Sequence, residues 1–350
     1  MFTPLPPVES NLGAFNIVLN AGTGLQANPQ AMAAFERSAQ AWEAFFSDPI
    51  IISIDADFAP LSGNTIGQAS TELLEASFNT IRNQLVADSA FDPDDQINAF
   101  LPAHEQFTAF LPPGFGVTGN IAAAKSNLKA MGFAGLDEAF GASDATITFN
   151  SLFAFDFDPS NGVTAGQTDF QTVATHEIGH ALGFFSVVDE VDFRLSQNFP
   201  GQVSPRPLDL FRFRNNDLAS DPETPSNFTI NSRDLTTGMP GPGTQAISDF
   251  VVPNGVDEAV EHLMSTGVAT GDGRQASHWK DDAFTGVTIG VLDPTLAPGT
   301  ATPIKGPDVR ALDLIGYDNA AVPEPGSSVL LVVGMMLLGR RRSRSQDAIR

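Results

Sequence analysis

Chemistry in this chain is concentrated in Thr175-His176-Glu177-Ile178-Gly179-His180-Ala181-Leu182-Gly183-Phe184. His176 and His180 are four residues apart, which stacks two imidazoles on one face of a helix where they can share one metal ion. Glu177 follows the first histidine directly. Its carboxylate can stand beside such an ion without ligating it. An ion held this way acidifies a water and the glutamate takes the proton, the logic of metal-assisted hydrolysis. Phe170, Val173, Ala174, Ile178, Ala181 and Leu182 give the stretch the apolar flank of a buried helix, and Gly183 is a suitable stop.

A catalytic zinc takes three protein ligands and leaves one position for water, so a third ligand must come from elsewhere. The hydroxyl of Ser186 is a poor donor. Asp189 and Glu190 lie just past the helix stop and could fold back. His104 has no second histidine four residues on. His262 and His278 remain, the latter in a glycine-rich approach, Gly271-Asp272-Gly273-Arg274-Gln275-Ala276-Ser277-His278-Trp279.

The elements that must carry these groups are partly legible. Phe15 to Leu19 reads as a strand. Asn28-Pro29 is a good N-cap and first helical position. Met32, Phe35, Ala39, Trp42 and Phe46 then form the stripe of a long amphipathic helix that Asp48-Pro49 stops. Ile50 to Phe58 reads as a second strand. Strand, helix, strand opens an α/β layer arrangement. Thr71 to Ala87 carries Leu73, Leu74, Phe78, Ile81 and Leu85 in helical phase, and Ile121 to Met131 is a weaker helix. Thr146 to Phe155 reads as a strand. Asp156 to Gly162 places oxygen donors at alternate positions before a glycine, a faint calcium-loop pattern that a plain turn accounts for better. Residues 185–242 are loop-rich, with a short strand at Leu208 to Phe213. Asp257 to Met264 reads as a short helix containing His262, and a closing helix spans Asp308 to Ile315. The fold class is α/β (α+β), with a mixed twisted sheet and a loop-rich C-terminal part. The domain is expected over 1–318, with an N-terminal part 12–184 and a C-terminal part 185–318.

Net charge is −23 over 350 residues. The last eleven residues hold five Arg and one Asp, +4 net, so the body carries −27. Such a body repels nucleic acid and anionic membrane surfaces. There is no cysteine, which excludes disulfides, thiolate ligands and a cysteine-based latency switch.

His176, Glu177, His180 and Gly183 resemble the motif of metzincin zinc peptidases, H-E-x-x-H-x-x-G-x-x-H, with Ser186 where the last histidine would stand. The chain is most similar to the leishmanolysin branch, in which an insertion displaces the third histidine into a Ser-His-Trp setting. Ser277-His278-Trp279, Leu292-Asp293-Pro294 and Ala311-Leu312-Asp313-Leu314-Ile315-Gly316 fit that pattern over roughly 146–184 and 276–318. The resemblance implies a metzincin-like fold and a zinc endopeptidase acting on protein or peptide. Its ligands would be His176, His180 and His278, with Glu177 as general base. On this reading, alanine at Asp189 or Glu190 leaves zinc binding intact. The resemblance also implies an edge strand before the active-site helix that pairs with extended substrate, here Thr146 to Phe155. Leu292 stands where the family's turn has Met; it fills a similar volume. Two rivals keep a metal: an inactive envelope binding module with structural zinc, and a zinc amidase acting on a non-peptide matrix polymer.

Residues 319–350 resemble a bacterial PEP-CTERM sorting signal: Val322-Pro323-Glu324-Pro325, an apolar stretch from Val329 to Leu338, then Arg340, Arg341, Arg342 and Arg344. The stretch is shorter than the ~20 residues of a spanning helix. The resemblance implies export to the envelope or matrix of a Gram-negative-type bacterium, transient membrane contact and processing by an exosortase-like enzyme. Residues 1–28 show no charged and then apolar secretory leader, so export requires an upstream start or another route.

Overall fold

The computed structural model describes residues 14–90, 93–214, 224–238, 245–247 and 262–320. The sorting-signal residues after Ala320, residues 1–13 and the stretch 257–261 lie outside the described residues. By contacts, Met1–Asn319 form one unit and Ala320–Arg350 a second. Every strand and helix among the described residues lies in the first.

Strand β1 (Asn16–Ala21) leads into helix α1 (Pro29–Glu43) and strand β2 (Ile51–Ala59). The Asn28 side chain caps α1 by accepting the Ala31 N–H at 3.1 Å, with Pro29 as first helical residue. Ala31, Ala34, Phe35, Ser38, Ala39 and Trp42 make the buried stripe. The helix closes at Glu43, five residues before the expected stop at Asp48. β1 and β2 pair in parallel, Asn16 opposite Ile51, as the crossover helix requires.

Where a helix was expected from Thr71 to Ala87, there are two strands and a shorter helix: β3 (Gly67–Thr71), β4 (Leu73–Ser77) and α2 (Phe78–Asp88). Leu73 and Leu74 fit a helical period, yet Leu73 is 44% exposed and Leu74 only 8%, the alternation of a strand. A non-local partner decides it: β4 pairs antiparallel with β5 (Asn120–Ala124). The same pairing converts the first half of the expected 121–131 helix to strand. Only α3 (Lys125–Ala130) is helical.

β6 (Ala145–Asn150) completes a mixed four-stranded sheet of order β1-β2-β6-β3. β6 runs parallel to β2 and antiparallel to β3. It is therefore an inner strand with both edges taken. The expectation that Thr146 to Phe155 offers an open edge is corrected: the edge belongs to β3, whose Gly-Gln-Ala-Ser-Thr sequence carries no apolar pattern.

Helix α4 (Phe170–Ala181) packs on α1 and across β3 and β6. The indole N–H of Trp42 donates to the Thr175 carbonyl at 2.9 Å, and Ser38 Oγ donates to Gln171 O at 3.0 Å. Phe170 sits among Phe149, Phe155 and Phe157, its ring 4.6 Å from that of Phe149. Next come α5 (Val188–Ser196), unread in the sequence, then β7 (Arg212–Arg214), β8 (Gln245–Ile247) and β9 (His262–Leu263), which form an antiparallel three-stranded sheet. His262 and Leu263 are thus strand rather than the end of a helix, and residues 208–211 are a 3₁₀ turn leading into β7. Helix α6 (Gly306–Asp313) closes the unit. Chain contacts continue past the expected end at 318: Phe46 bridges Asn319, and Ser47 N–H donates to Asp318 O at 2.8 Å. Trp42, Leu208, Trp279, Leu292 and Leu312 belong to one core, so the parts 12–184 and 185–318 are not separate bodies.

Candidate metal centre

The site begins with the ends of α4. Asp169 caps its start, accepting the N–H of Thr172 at 3.0 Å and the Thr172 hydroxyl at 2.6 Å. At its other end Gly183 takes φ +107°. Its N–H donates to His180 O at 2.9 Å and Phe184 N–H to Gly179 O at 3.1 Å, a Schellman close. A Cβ on Gly183 would lie 1.9 Å from Asn127 Oδ1, so glycine is needed for space as well as conformation.

α4 presents His176 and His180 side by side, and the segment that returns past β9 brings His278 to them. That return is held by backbone bonds: Ser265 N–H to His278 O at 3.0 Å, Lys280 N–H to Leu263 O at 2.7 Å and Trp279 N–H to Leu292 O at 3.0 Å. The three Nε2 atoms form a near-equilateral triangle with sides of 3.1, 3.1 and 3.2 Å. Each ring's other nitrogen faces a backbone carbonyl. His176 Nδ1 is 2.8 Å from Val291 O, His180 Nδ1 2.8 Å from Phe184 O and His278 Nδ1 3.3 Å from Gln275 O. A carbonyl only accepts, so each Nδ1 carries the proton and each Nε2 presents a lone pair. Three lone pairs converging within 3.2 Å repel one another unless a cation lies between them. Nitrogens bound tetrahedrally to one ion at about 2.0–2.1 Å stand about 3.3 Å apart. The triangle fits, and His176, His180 and His278 are a group that could hold a metal.

Electrostatics agree. Burial, then the neighbouring His180, pulls His176 down to about 3; burial lowers His180; burial and the other two rings hold His278 well below the usual histidine range. All three are neutral near pH 7, the form that ligates. Glu177 is buried at the wall of the same cleft. Burial pushes its carboxyl up to about 8, while the Ala69 backbone N–H pulls it down. A cation beside it favours the ionised form. Gly67 makes room: a Cβ there would lie 2.8 Å from Glu177 Oε1.

The cleft, of about 900 Å³, runs between β3 and the segments 273–278 and 291–296. The pairing of β3 is fixed by Asn150 N–H to Ile66 O at 2.8 Å and Glu72 N–H to Asp144 O at 3.2 Å. The backbone groups of Gly67, Ala69 and Thr71 therefore point away from β6, towards the open edge.

The other ligand candidates have different work. Asp189 accepts from Ala276 N–H at 2.6 Å, Ser277 N–H at 3.0 Å and the Ser277 hydroxyl. Glu190 pairs with Arg194 and Arg206 at 2.7 and 3.0 Å. His262 packs its ring 5.7 Å from that of Trp279, and His104 lies beside Phe78. Ser186 donates its N–H to Ser277 Oγ at 2.9 Å, next to the third histidine rather than in its place. Asp156 to Gly162 is a turn: Asp156 accepts from Asp158 N–H, Thr164 N–H and the Thr164 hydroxyl. Asp281, Asp282 and Asp293 form a second acidic group, in which Asp281 takes Arg274 and Ala283 N–H, and Asp293 takes Asp282 and Thr295 N–H.

Leu292 is fully buried under α4, its methyls 2.9 and 3.1 Å from where a Cβ on Gly179 would stand. The turn bearing it hangs on Asp308, a residue whose role the sequence does not announce. The buried Asp308 carboxylate accepts Val291 N–H at 2.8 Å, Leu292 N–H at 3.3 Å, Lys305 N–H at 2.8 Å and the Trp279 indole N–H at 2.7 Å. It ties the carbonyl that orients His176 to the neighbour of His278. The available signal is an acidic residue at the third position of a helix whose second residue is Pro307.

Family models, curated proteins and solved structures were all compared with the chain, and none matches.

Proposed function

We propose that this chain is a zinc-dependent endopeptidase of metzincin-like architecture, nearest the leishmanolysin branch, exported to the cell envelope. One observation carries the reading: three neutral imidazoles converge their Nε2 lone pairs on one point, with each Nδ1 locked on a carbonyl, beside a buried glutamate at the cleft wall. Zinc suits an all-imidazole set with three protein ligands, and would supply Lewis acidity towards a carbonyl and a water. Glu177 then acts as general base towards the water and returns the proton to the leaving amine. The Val291, Phe184 and Gln275 carbonyls hold the imidazoles in the ligating tautomer. β3 replaces the 146–155 strand as the substrate-docking edge: an extended peptide adds along Gly67 and Thr71 and the Ala69 carbonyl, the Ala69 N–H being held by Glu177. The terminal segment after Ala320 serves as the sorting signal read by an exosortase-like enzyme.

The test is cleavage of casein and a peptide mixture by the zinc-loaded protein, beside Glu177→Gln. The amide is near-isosteric and cannot take a proton, so the variant keeps its zinc and loses about 100- to 10,000-fold in rate. Zinc-loaded wild type that cleaves neither, or a variant of near-normal activity, would overturn the proposal.

A further inference from the structure

We infer that α5 is the device that delivers the third imidazole: Asp189 and Asp192 are positioning residues that clamp the segment 269–277 and so hold His278 in place before any ion binds. The inference rests on the metal reading above. It also revises the sequence expectation that Asp189 is dispensable for zinc binding.

The two carboxylates are three residues apart and lie on one face of α5. Asp192 accepts Ala269 N–H at 2.8 Å, Thr270 N–H at 2.7 Å and the Thr270 hydroxyl at 2.6 Å. Asp189 accepts Ala276 N–H, Ser277 N–H and the Ser277 hydroxyl. One carboxylate therefore holds each end of the segment. The approach is close: Gly267 has φ +132°, and a Cβ there would lie 2.7 Å from Asp192 Cγ. From the far side the buried Arg212 donates to Ala276 O at 3.0 Å and Ser265 O at 2.5 Å. Gln275, whose carbonyl orients the His278 ring, sits directly before the clamped pair Ala276-Ser277, and His278 directly after it.

The physical need is clear from chain distance. His180 and His278 are 98 residues apart. Without a clamp, closing that loop would be charged to metal binding, because the ion's bonds would have to order the segment. With the clamp, folding orders it and the ion meets a finished site. Asp189 acts through the backbone of Ala276 and Ser277, and its oxygens face them rather than the three Nε2 atoms.

The experiment measures zinc affinity of the full chain by competition with a chromophoric chelator. Wild type, Asp189→Ala, His278→Ala and the double variant are compared, with visible spectra of the cobalt(II) forms. Asp189→Ala should weaken zinc by about 10- to 100-fold. It should shift the cobalt spectrum towards that of His278→Ala, and it should be silent in the His278→Ala background. A merely structural carboxylate would lower affinity in both backgrounds alike. Hydrogen exchange on chelator-treated wild type should find the amides of Ala269, Thr270, Ala276 and Ser277 protected. Should Asp189→Ala not fold, Asp189→Asn keeps one acceptor oxygen and should give an intermediate loss. Affinity within threefold of wild type, equal losses in both backgrounds, or unprotected amides in the metal-free protein would each overturn the clamp alone. A wild type that binds no zinc would overturn the metal reading, and the clamp with it.

Discussion

Asp308→Ala should be among the most damaging single changes outside the site. The carboxylate is fully buried and accepts four N–H groups, from Val291, Leu292, Lys305 and the Trp279 indole. Lys305 is half-buried and can turn to water; the other three donors are left without a partner. An orphaned buried donor costs about 1–3 kcal/mol. The three share one acceptor, so their costs do not add. Burial also pushes the Asp308 carboxyl up, opposed by those hydrogen bonds, so removing it relieves some desolvation. The expected net loss is about 3 kcal/mol, a large part of a typical stability of about 5–15 kcal/mol. The same change frees the Val291 peptide whose carbonyl orients His176, so zinc affinity should fall by about tenfold or more. Urea unfolding of metal-free protein reads the first effect and chelator competition the second. Asp308→Asn keeps one acceptor and should lose about half as much. A loss under about 1 kcal/mol with unchanged zinc affinity would refute the reasoning.

Gly183→Ala should destabilise by about 2–4 kcal/mol, from left-handed strain and from crowding against Asn127; a melting point within about a degree of wild type would contradict it. Burial, then the charge of Asp318, holds the Asp48 carboxyl well above the usual range. The native state thus binds that proton more tightly than the unfolded one, and stability falls as pH rises through the native pKa. Asp48→Asn removes this loss and keeps an acceptor for Asp318 N–H, so its gain should be larger at about pH 8 than at about pH 4; equal denaturant midpoint shifts would count against it. Deleting the chain after Ala320, rather than after Asp318, should leave a soluble, folded enzyme no longer retained at the envelope; loss of folding would show that the tail belongs to the domain.

What was legible in the sequence was local. Two histidines and a glutamate at helical spacing, the Asn28-Pro29 start of α1 and the β-branched run of β2 each declare themselves within about ten residues. What was missed depends on distant partners. Leu73 and Leu74 satisfy a helical period, but their strand partners in β5, Ala124 and Ala123, lie about 50 residues on. β3 is an edge only because β6 lies beside it. Asp189 looked like a spare ligand because its true partners, Ala276 and Ser277, are 87 and 88 residues away. α5 did leave a trace: Val187, Val188 and Val191 are spaced as a buried face, with Asp189 and Glu190 in the first turn and Arg194 in the last. The surrounding prolines and glycines masked it.

The central claim is tested most directly by X-ray diffraction from zinc-loaded crystals at energies on either side of the zinc absorption edge. The account predicts one anomalous peak in the cleft, about 2.0–2.1 Å from Nε2 of His176, His180 and His278, with the Glu177 carboxylate beside it and not bound to it. A peak ligated by Asp189, Glu190 or His262, or zinc found away from the three imidazoles, would contradict it.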